Sequence, residues 1–187
     1  GAELLHIVDL DGAVQGKPIN HQIIFEIASQ FSDKRIQIGG GIRNFESASQ
    51  YLEKGIERVI MGTSAVEHPE MLKDFCNQYP HRLVLGIDAL DGLVKTQGWL
   101  KESSITPVQL VQKFEGDPIA AIIFTDISKD GMMMGPNITA TLELAEQTNI
   151  PVIASGGVSS LEHISQLAHQ KIIEGVISKI TEKFVFL

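Results

Sequence analysis

The sequence of 187 residues contains one cysteine, Cys76, which excludes an internal disulfide and fits a reducing compartment. On a helix such a residue is expected to be a small buried filler. No apolar run approaches the ~20 residues that a membrane-spanning helix needs. The opening residues Gly1-Ala2-Glu3-Leu4-Leu5 place no basic stretch ahead of an apolar one, so they do not read as a signal peptide, and a cytoplasmic location is expected. Basic charge is also short: 15 Lys and Arg stand against 23 Asp and Glu, a net charge of −8. Nucleic-acid binders usually carry a basic footprint, so nucleic acid is not an expected partner, and neither is a membrane. No G-x-G-x-x-G follows a strand and no P-loop is present. His6, His21, His68, His81, His163 and His169 show no metal-ligand spacing, so no metal site is expected. Most of them read as surface residues, with His6 a candidate for lining an interior.

What is present is a regular alternation of short β-branched runs and longer amphipathic ones. The runs Leu4 to Asp9, Arg35 to Ile38, Arg58 to Met61, Leu83 to Ile87, Ala120 to Phe124, Val152 to Ala154 and Gly175 to Ile177 read as strands. Helices are predicted over Asn20 to Gln30, with Asn20 as N-cap, and over Phe45 to Lys54, stopping at Gly55. Further helices are predicted over Pro69 to Gln78, Thr106 to Phe114, Ile138 to Gln147 and Leu161 to His169. Pro69 and Pro107 suit the first helical turn. The stretch from Ala89 to Ile105 reads as a long loop of the kind that holds lids or stacking residues.

Apolar strands joined by helical crossovers point to a parallel sheet covered by helices. An open doubly wound sheet and a closed (β/α)8 barrel both satisfy that pattern. Two features favour the barrel as a single domain. Polar or glycine residues end nearly every strand: Asp9, Gly39, Gly62, Asp88, Thr125 and Ser155. The chain also repeats itself. With Ile36 laid on Val152, Ile-Gln-Ile-Gly39-Gly40-Gly41-Ile42-Arg43-Asn44-Phe45-Glu46 matches Val-Ile-Ala-Ser155-Gly156-Gly157-Val158-Ser159-Ser160-Leu161-Glu162. Such a repeat suggests two related half-barrels.

Glycines between a strand and a helix let the backbone approach a ligand and turn N–H groups toward it. Gly40 and Gly41 are therefore candidate phosphate-binding residues. Arg43 can pair with phosphate oxygens through its fork of donors, and Gly62-Thr63 can close the same site. Ser155, Gly156 and Gly157 form the second copy. Its closing partner falls at Ser178-Lys179-Ile180-Thr181, where the glycine is missing and Lys179 offers charge instead. The same glycines also suit tight turns without a ligand.

A carboxylate at the C-terminal end of a barrel strand points into the mouth, where barrel enzymes do their chemistry. Asp88 holds that place and Thr125 ends the next strand. Asp130, in Thr125-Asp126-Ile127-Ser128-Lys129-Asp130-Gly131, lies in a loop that can cover the mouth. Asp9 either lines the site or belongs to a turn. Trp99 either covers the site or packs on the surface.

Val8-Asp9-Leu10-Asp11-Gly12-Ala13, Gly39-Gly40-Gly41-Ile42-Arg43, Gly86-Ile87-Asp88-Ala89, the Thr125–Gly131 segment, Gly135-Pro136-Asn137 and Ala154-Ser155-Gly156-Gly157-Val158-Ser159 together resemble the phosphoribosylformimino-5-aminoimidazole carboxamide ribotide isomerases of histidine biosynthesis. The resemblance runs from Gly1 to about Ile177. It implies a (β/α)8 barrel of two half-barrels, a phosphate site in each half, and a small bis-phosphorylated sugar substrate. It also implies an Amadori rearrangement of aminoaldose to aminoketose without a cofactor. Asp88 matches the general acid, Thr125 the threonine that supports the reacting sugar, and Trp99 an aromatic that covers the substrate. Asp9, Gly40, Gly41, Arg43, Gly62, Thr63, Asp130, Ser155, Gly156 and Gly157 are then the expected substrate contacts, and a monomer is the expected state.

The family begins with a further strand that carries the general base, ahead of the segment that opens this chain. The first strand of the barrel is therefore expected to be missing here, with no residue matching the base. If these residues are the whole molecule, no isomerase turnover is expected from it. The cyclase subunit of imidazole glycerol phosphate synthase is a related alternative, disfavoured by Thr125-Asp126-Ile127 followed by Gly135-Pro136-Asn137. A non-catalytic phosphosugar-binding remnant is the other.

Overall fold

In the computed structural model, which describes residues 4–170 and 172–177, seven parallel strands form a continuous path with helices on its outer side. In chain order the elements are β1 (Leu4–Val8), α1 (Leu10–Gln15), α2 (His21–Gln30), β2 (Arg35–Gly39), α3 (Phe45–Glu53), β3 (Arg58–Met61), α4 (Thr63–Glu67) and α5 (Pro69–Gln78). Then come β4 (Leu83–Leu90), β5 (Leu93–Thr96), β6 (Lys101–Glu102), α6 (Pro107–Gln112), β7 (Ala121–Asp126), α7 (Ile138–Ala145), β8 (Val152–Ser155), α8 (Leu161–Ala168) and β9 (Ile173–Val176). The path runs β1-β2-β3-β4-β7-β8-β9, and β5 and β6 hang from β4 as an antiparallel extension. The architecture is that of a (β/α)8 barrel, seven of whose parallel strands lie among the described residues.

The pleat sorts the side chains. Leu83, Leu85 and Ile87 of β4 and Ile122 and Phe124 of β7 point outward, into the main core beneath the helices. Their neighbours Val84, Ala121, Ile123 and Ile153 form a separate apolar cluster with Ile60 on the opposite face, inside the barrel. The strict period of two carries that inward face upward to Asp88, Thr125 and Ser155 at the strand ends. Lower down, His6 and Gln37 are register partners on the same face, and His6 Nδ1 lies 2.9 Å from Gln37 Nε2. Burial lowers the His6 pKa to about 4, so the ring is neutral at physiological pH. This matches the interior position expected of His6.

All seven strands read from the sequence are present, the last beginning at Ile173 rather than Gly175. Three elements were not anticipated: α1, α4 and the hairpin β4–β5–β6. The stretch from Ala89 to Ile105 is thus not a plain loop. Asp91 and Gly92, at φ 52° and 79°, make the two-residue turn that joins Leu90 to its partner Leu93. Asn20 stands at the N-cap of α2 as expected, but its side chain makes no capping bond and binds Asp9 and Asp11 instead. Thr106 caps α6 through a reciprocal box with Gln109, and Pro107 opens that helix. Cys76 is fully buried on α5, where burial and the nearby Asp117 charge push its thiol up to about 12.

The outer core is keyed by aromatic edges. Phe75 of α5 is wholly buried, with Phe45 at 5.3 Å and Tyr79 at 5.0 Å between ring centroids. Phe75→Ala is expected to cost about 3–5 kcal/mol, because a large cavity opens among side chains that cannot collapse into it. Urea denaturation measures this; a loss below about 1 kcal/mol would contradict the packing described.

Candidate functional site at the barrel mouth

Asp88 and Thr125 are register partners on adjacent strands, and Thr125 is in turn paired with Ser155. The three therefore lie side by side on the inward face at the C-terminal edge. Thr125 is buried, and Asp88 and Ser155 are partly so. The indole N–H of Trp99 donates to Asp88 Oδ2 at 2.8 Å. Burial raises the Asp88 pKa above the usual carboxylate value; hydrogen bonds from Trp99 and Thr125 oppose the rise and the Asp130 charge adds to it. Asp130 sits exposed in the β7–α7 loop. The structure thus places three of the sequence candidates, Asp88, Trp99 and Thr125, side by side, with the charge of Asp130 near enough to act on Asp88.

The glycine candidates form two similar turns. Gly40 and Gly41 follow β2 at φ 100° and 78°; Gly156 and Gly157 follow β8 at φ 86° and 76°. Each turn is pressed against the backbone of the loop that follows the preceding strand in the barrel. A Cβ on Gly40 would stand 2.1 Å from the Asp9 carbonyl oxygen, and one on Gly157 would stand 2.4 Å from that of Gly135. Only glycine fits either place.

Around the first turn, Arg43 Nη2 donates to the Ala13 carbonyl at 3.1 Å, which leaves the rest of its donor fork. Ser64 Oγ donates to the Arg43 carbonyl at 2.8 Å, tying α4 to the same region. Gly62 follows β3 as the N-cap of α4 and Thr63 opens that helix; Thr63 Oγ1 accepts from the Gln97 backbone N–H at 3.0 Å. Around the second turn, Ser159 Oγ donates to the Met133 carbonyl at 2.9 Å, so the β7–α7 loop is held over Gly156 and Gly157. The expected closing residues of that site, Ser178 to Thr181, lie outside the described residues.

Asp9 is the buried anchor of the β1–α2 connection. Its carboxylate accepts from the N–H groups of Gly12, Ile19 and Asn20 at 2.9, 2.8 and 2.9 Å, and from Asn20 Nδ2 at 2.8 Å. Burial works against its charge, but these donors outweigh it and hold its pKa below the usual value. Of the two readings left open for Asp9, the turn is the one these bonds describe.

Asp126 and Asn137 stand in motifs read from the sequence but were given no role there. Asn137 Nδ2 donates to Asp126 Oδ2 at 2.6 Å across a separation of 11 residues, the separation at which Asn20 meets Asp9. Asp126 too is held below its usual pKa, against the pull of burial, by Asn137 and Ser128. The signal was available: Asp11-Gly12-x-x-x-Gly16 and Asp130-Gly131-x-x-x-Gly135 continue the internal repeat into both loops. Gln97 and Glu67 were also missed, because nothing local marks them. Among the described residues no group of three or more His, Cys, Asp or Glu is arranged to hold a metal ion, and no helix is long and apolar enough to cross a membrane.

Comparison with known proteins gives one consistent result. A family model described as "Histidine biosynthesis protein" matches residues 1–180. A protein of Halorhodospira halophila is 49% identical over the whole chain, which spans 75% of that relative. One of Acidithiobacillus ferrooxidans is 48% identical over the whole chain and 76% of its own length. One of Ruthia magnifica is 47% identical over 96% of the chain and 75% of its own length. Each is named a 1-(5-phosphoribosyl)-5-((5-phosphoribosylamino)methylideneamino)imidazole-4-carboxamide isomerase.

The two mouth aspartates have opposite effects on stability. Asp88 is raised, so the folded state disfavours its ionised form. Asp88→Asn is expected to stabilise the fold near neutral pH, and the gain vanishes below the ordinary value of 3.8, where both states are protonated. Asp9 is lowered, so Asp9→Asn is expected to destabilise near neutral pH, and the loss fades as pH falls through the folded pKa. Denaturation at both pH ranges measures the two signs, and a matching sign for both variants would refute these environments.

Proposed function

The chain belongs to the histidine biosynthesis protein family, and on that premise we propose that it is an aldose–ketose isomerase acting on a bis-phosphorylated ribosyl aminoimidazole carboxamide. The observation that carries the reading is Asp88: a carboxyl at the mouth whose surroundings favour its protonated form, beside a buried threonine hydroxyl. A raised pKa is what a general acid working near neutrality requires.

Asp88 gives its proton to the ring oxygen of the aminoribose. The bond between that oxygen and the first ribose carbon breaks, and the attached nitrogen's lone pair forms the protonated imine. Loss of the proton on the second carbon then yields the enaminol, which becomes the aminoketose by taking a proton at the first carbon and giving up the hydroxyl proton of the second. Only protons and electron pairs move. Thr125 supports the sugar next to Asp88, and Trp99 lies over the same place. No described residue is assigned the base.

The substrate's two phosphates occupy the two glycine turns. Gly40, Gly41, Arg43, Gly62 and Thr63 receive one, and Ser155, Gly156 and Gly157 receive the other. Turn N–H groups and one guanidinium suffice for this on a chain whose net charge is −8. Asp9 contributes by fixing the loop against which the first turn packs, and Asp130 by raising Asp88. The enzyme is proposed to act as a cytoplasmic monomer.

Asp88→Asn is expected to lower kcat by about 10²–10⁴-fold while substrate affinity stays within a few-fold, since an amide keeps the shape but its N–H is far too weak an acid to transfer a proton. A coupled assay of aminoketose formation, with binding measured by calorimetry, tests this. Turnover at the parent rate would remove Asp88 from the acid role.

A further inference from the structure

The sulfur atoms of the chain fall into two groups. Of its five methionines and one cysteine, Met61 and Cys76 are wholly buried, and Met71 packs against the main core. Burial and the Asp117 charge also keep the Cys76 thiol protonated, with its pKa pushed up to about 12, so it is a poor nucleophile. The other three methionines are consecutive. Met132, Met133 and Met134 stand in the loop between β7 and α7 and are exposed at 57%, 65% and 74% of their full area. Side chains so exposed gain little from being apolar, but their thioethers are open to reagents in solution.

The loop that carries them is held at a few points. The bond between Asn137 and Asp126 joins its two ends. The Met132 N–H donates to the Lys129 carbonyl at 3.2 Å, and the Gly135 N–H donates to the Gly157 carbonyl at 3.0 Å. Met133 is left-handed at φ 56°, and its carbonyl accepts from the Ser159 hydroxyl at 2.9 Å. A residue other than glycine keeps that backbone only where its surroundings hold it.

We propose that Met132, Met133 and Met134 form an oxidation site: hydrogen peroxide converts them to sulfoxides ahead of the chain's other sulfurs, and the oxidised loop slows the enzyme. The slowing rests on the isomerase reading given above; the site itself does not. In each step the thioether sulfur attacks one peroxide oxygen and the O–O bond breaks. That oxygen stays on sulfur, and the other leaves as water with both protons. Sulfur loses two electrons and the peroxide gains them. A methionine sulfoxide reductase reverses the step with a dithiol, which becomes a disulfide while the oxygen leaves as water.

The consequence follows from the change in polarity. A thioether sulfur is a weak acceptor, whereas a sulfoxide is polar and its oxygen accepts strongly. Sulfoxide oxygens around the Met133 carbonyl compete with it for the Ser159 proton. Loss of that bond lets Met133 leave the left-handed region and loosens the segment from Lys129 to Gly135. Asp130 lies in this segment, and its charge acts on Asp88.

Peroxide at rising dose, followed by peptide mapping by mass, is expected to place oxygen on Met132, Met133 and Met134 before Met61 or Met71. Trypsin is expected to cut the oxidised protein after Lys129 about tenfold faster than the untreated one, because local opening exposes the loop. Turnover is expected to fall about tenfold. Methionine sulfoxide reductases of both stereospecificities, with dithiothreitol, are expected to restore both. The triple variant Met132→Leu, Met133→Leu, Met134→Leu keeps the apolar bulk without sulfur, and is expected to hold the parent's turnover before and after peroxide. Oxygen found first on Met61 or Met71, or three sulfoxides with unchanged cleavage and turnover, would overturn the proposal. So would an equal loss of turnover in the leucine variant. Absence of turnover in the untreated protein would sink the isomerase reading alone, and mapping and cleavage would still decide the site.

Discussion

Everything at the mouth depends on the parity of the strand pleat. Because neighbouring residues point to opposite faces, the outward row Leu83-Leu85-Ile87 commits Val84, Gly86 and Asp88 to the inside of the barrel. The register with β7 then places Thr125 beside Asp88, and the register with β8 places Ser155 beside Thr125. A one-residue shift of β4 would turn Asp88 into the outer apolar layer and bring Leu83 and Leu85 to the barrel interior. The packing of the outer core is therefore also what aligns the polar groups. Stability and site geometry share one cause.

Three aspartates end three strands, and their surroundings separate their roles. Asp9 and Asp126 each collect backbone or amide donors that stabilise the carboxylate, and both act as anchors for the loop that follows. At Asp88 the cost of desolvation is met by fewer donors and compounded by a second negative charge, so its neutral form is favoured. Environments that drive like groups apart in this way are how one fold keeps some acids ionised and one protonated at the same pH. The anchors serve the site at one remove. They hold the loops against which Gly40 and Gly157 pack, and so define the two turns that receive phosphate in the proposed reaction.

The strands and the larger helices were legible because hydrophobic periodicity over many residues encodes them. Asp88, Thr125 and the glycine turns were legible because strand-end polar residues and a repeat mark them. The hairpin was missed although Asp91-Gly92 between Leu90 and Leu93 is a strong two-residue turn signal, because it stands where the strand–helix alternation calls for a connecting loop. Helix α1 was missed because Gly12 interrupts a run that Asp9 caps and Gly16 ends. Helix α4, with five residues, is too short to show a period. The contacts of Gln97 with Thr63 and Glu67 span 34 and 30 residues and are fixed by tertiary packing alone. No local pattern encodes such pairs.

The β5–β6 turn breaks the rules that make the rest readable. Two non-glycine residues, Gln97 and Trp99, occupy left-handed backbone at a cost of about 1–3 kcal/mol each. Trp99 and its neighbour Leu100 also expose large apolar surfaces, at 44% and 79% of their full area. A segment selected only for stability would place glycine or asparagine at those angles and polar residues at those positions. The strained turn instead carries the single indole that reaches Asp88, and it is anchored from the helix that begins at Thr63. Local disfavour is thus offset by contacts made at both ends of the mouth. That arrangement holds an otherwise disfavoured turn in one place beside Asp88.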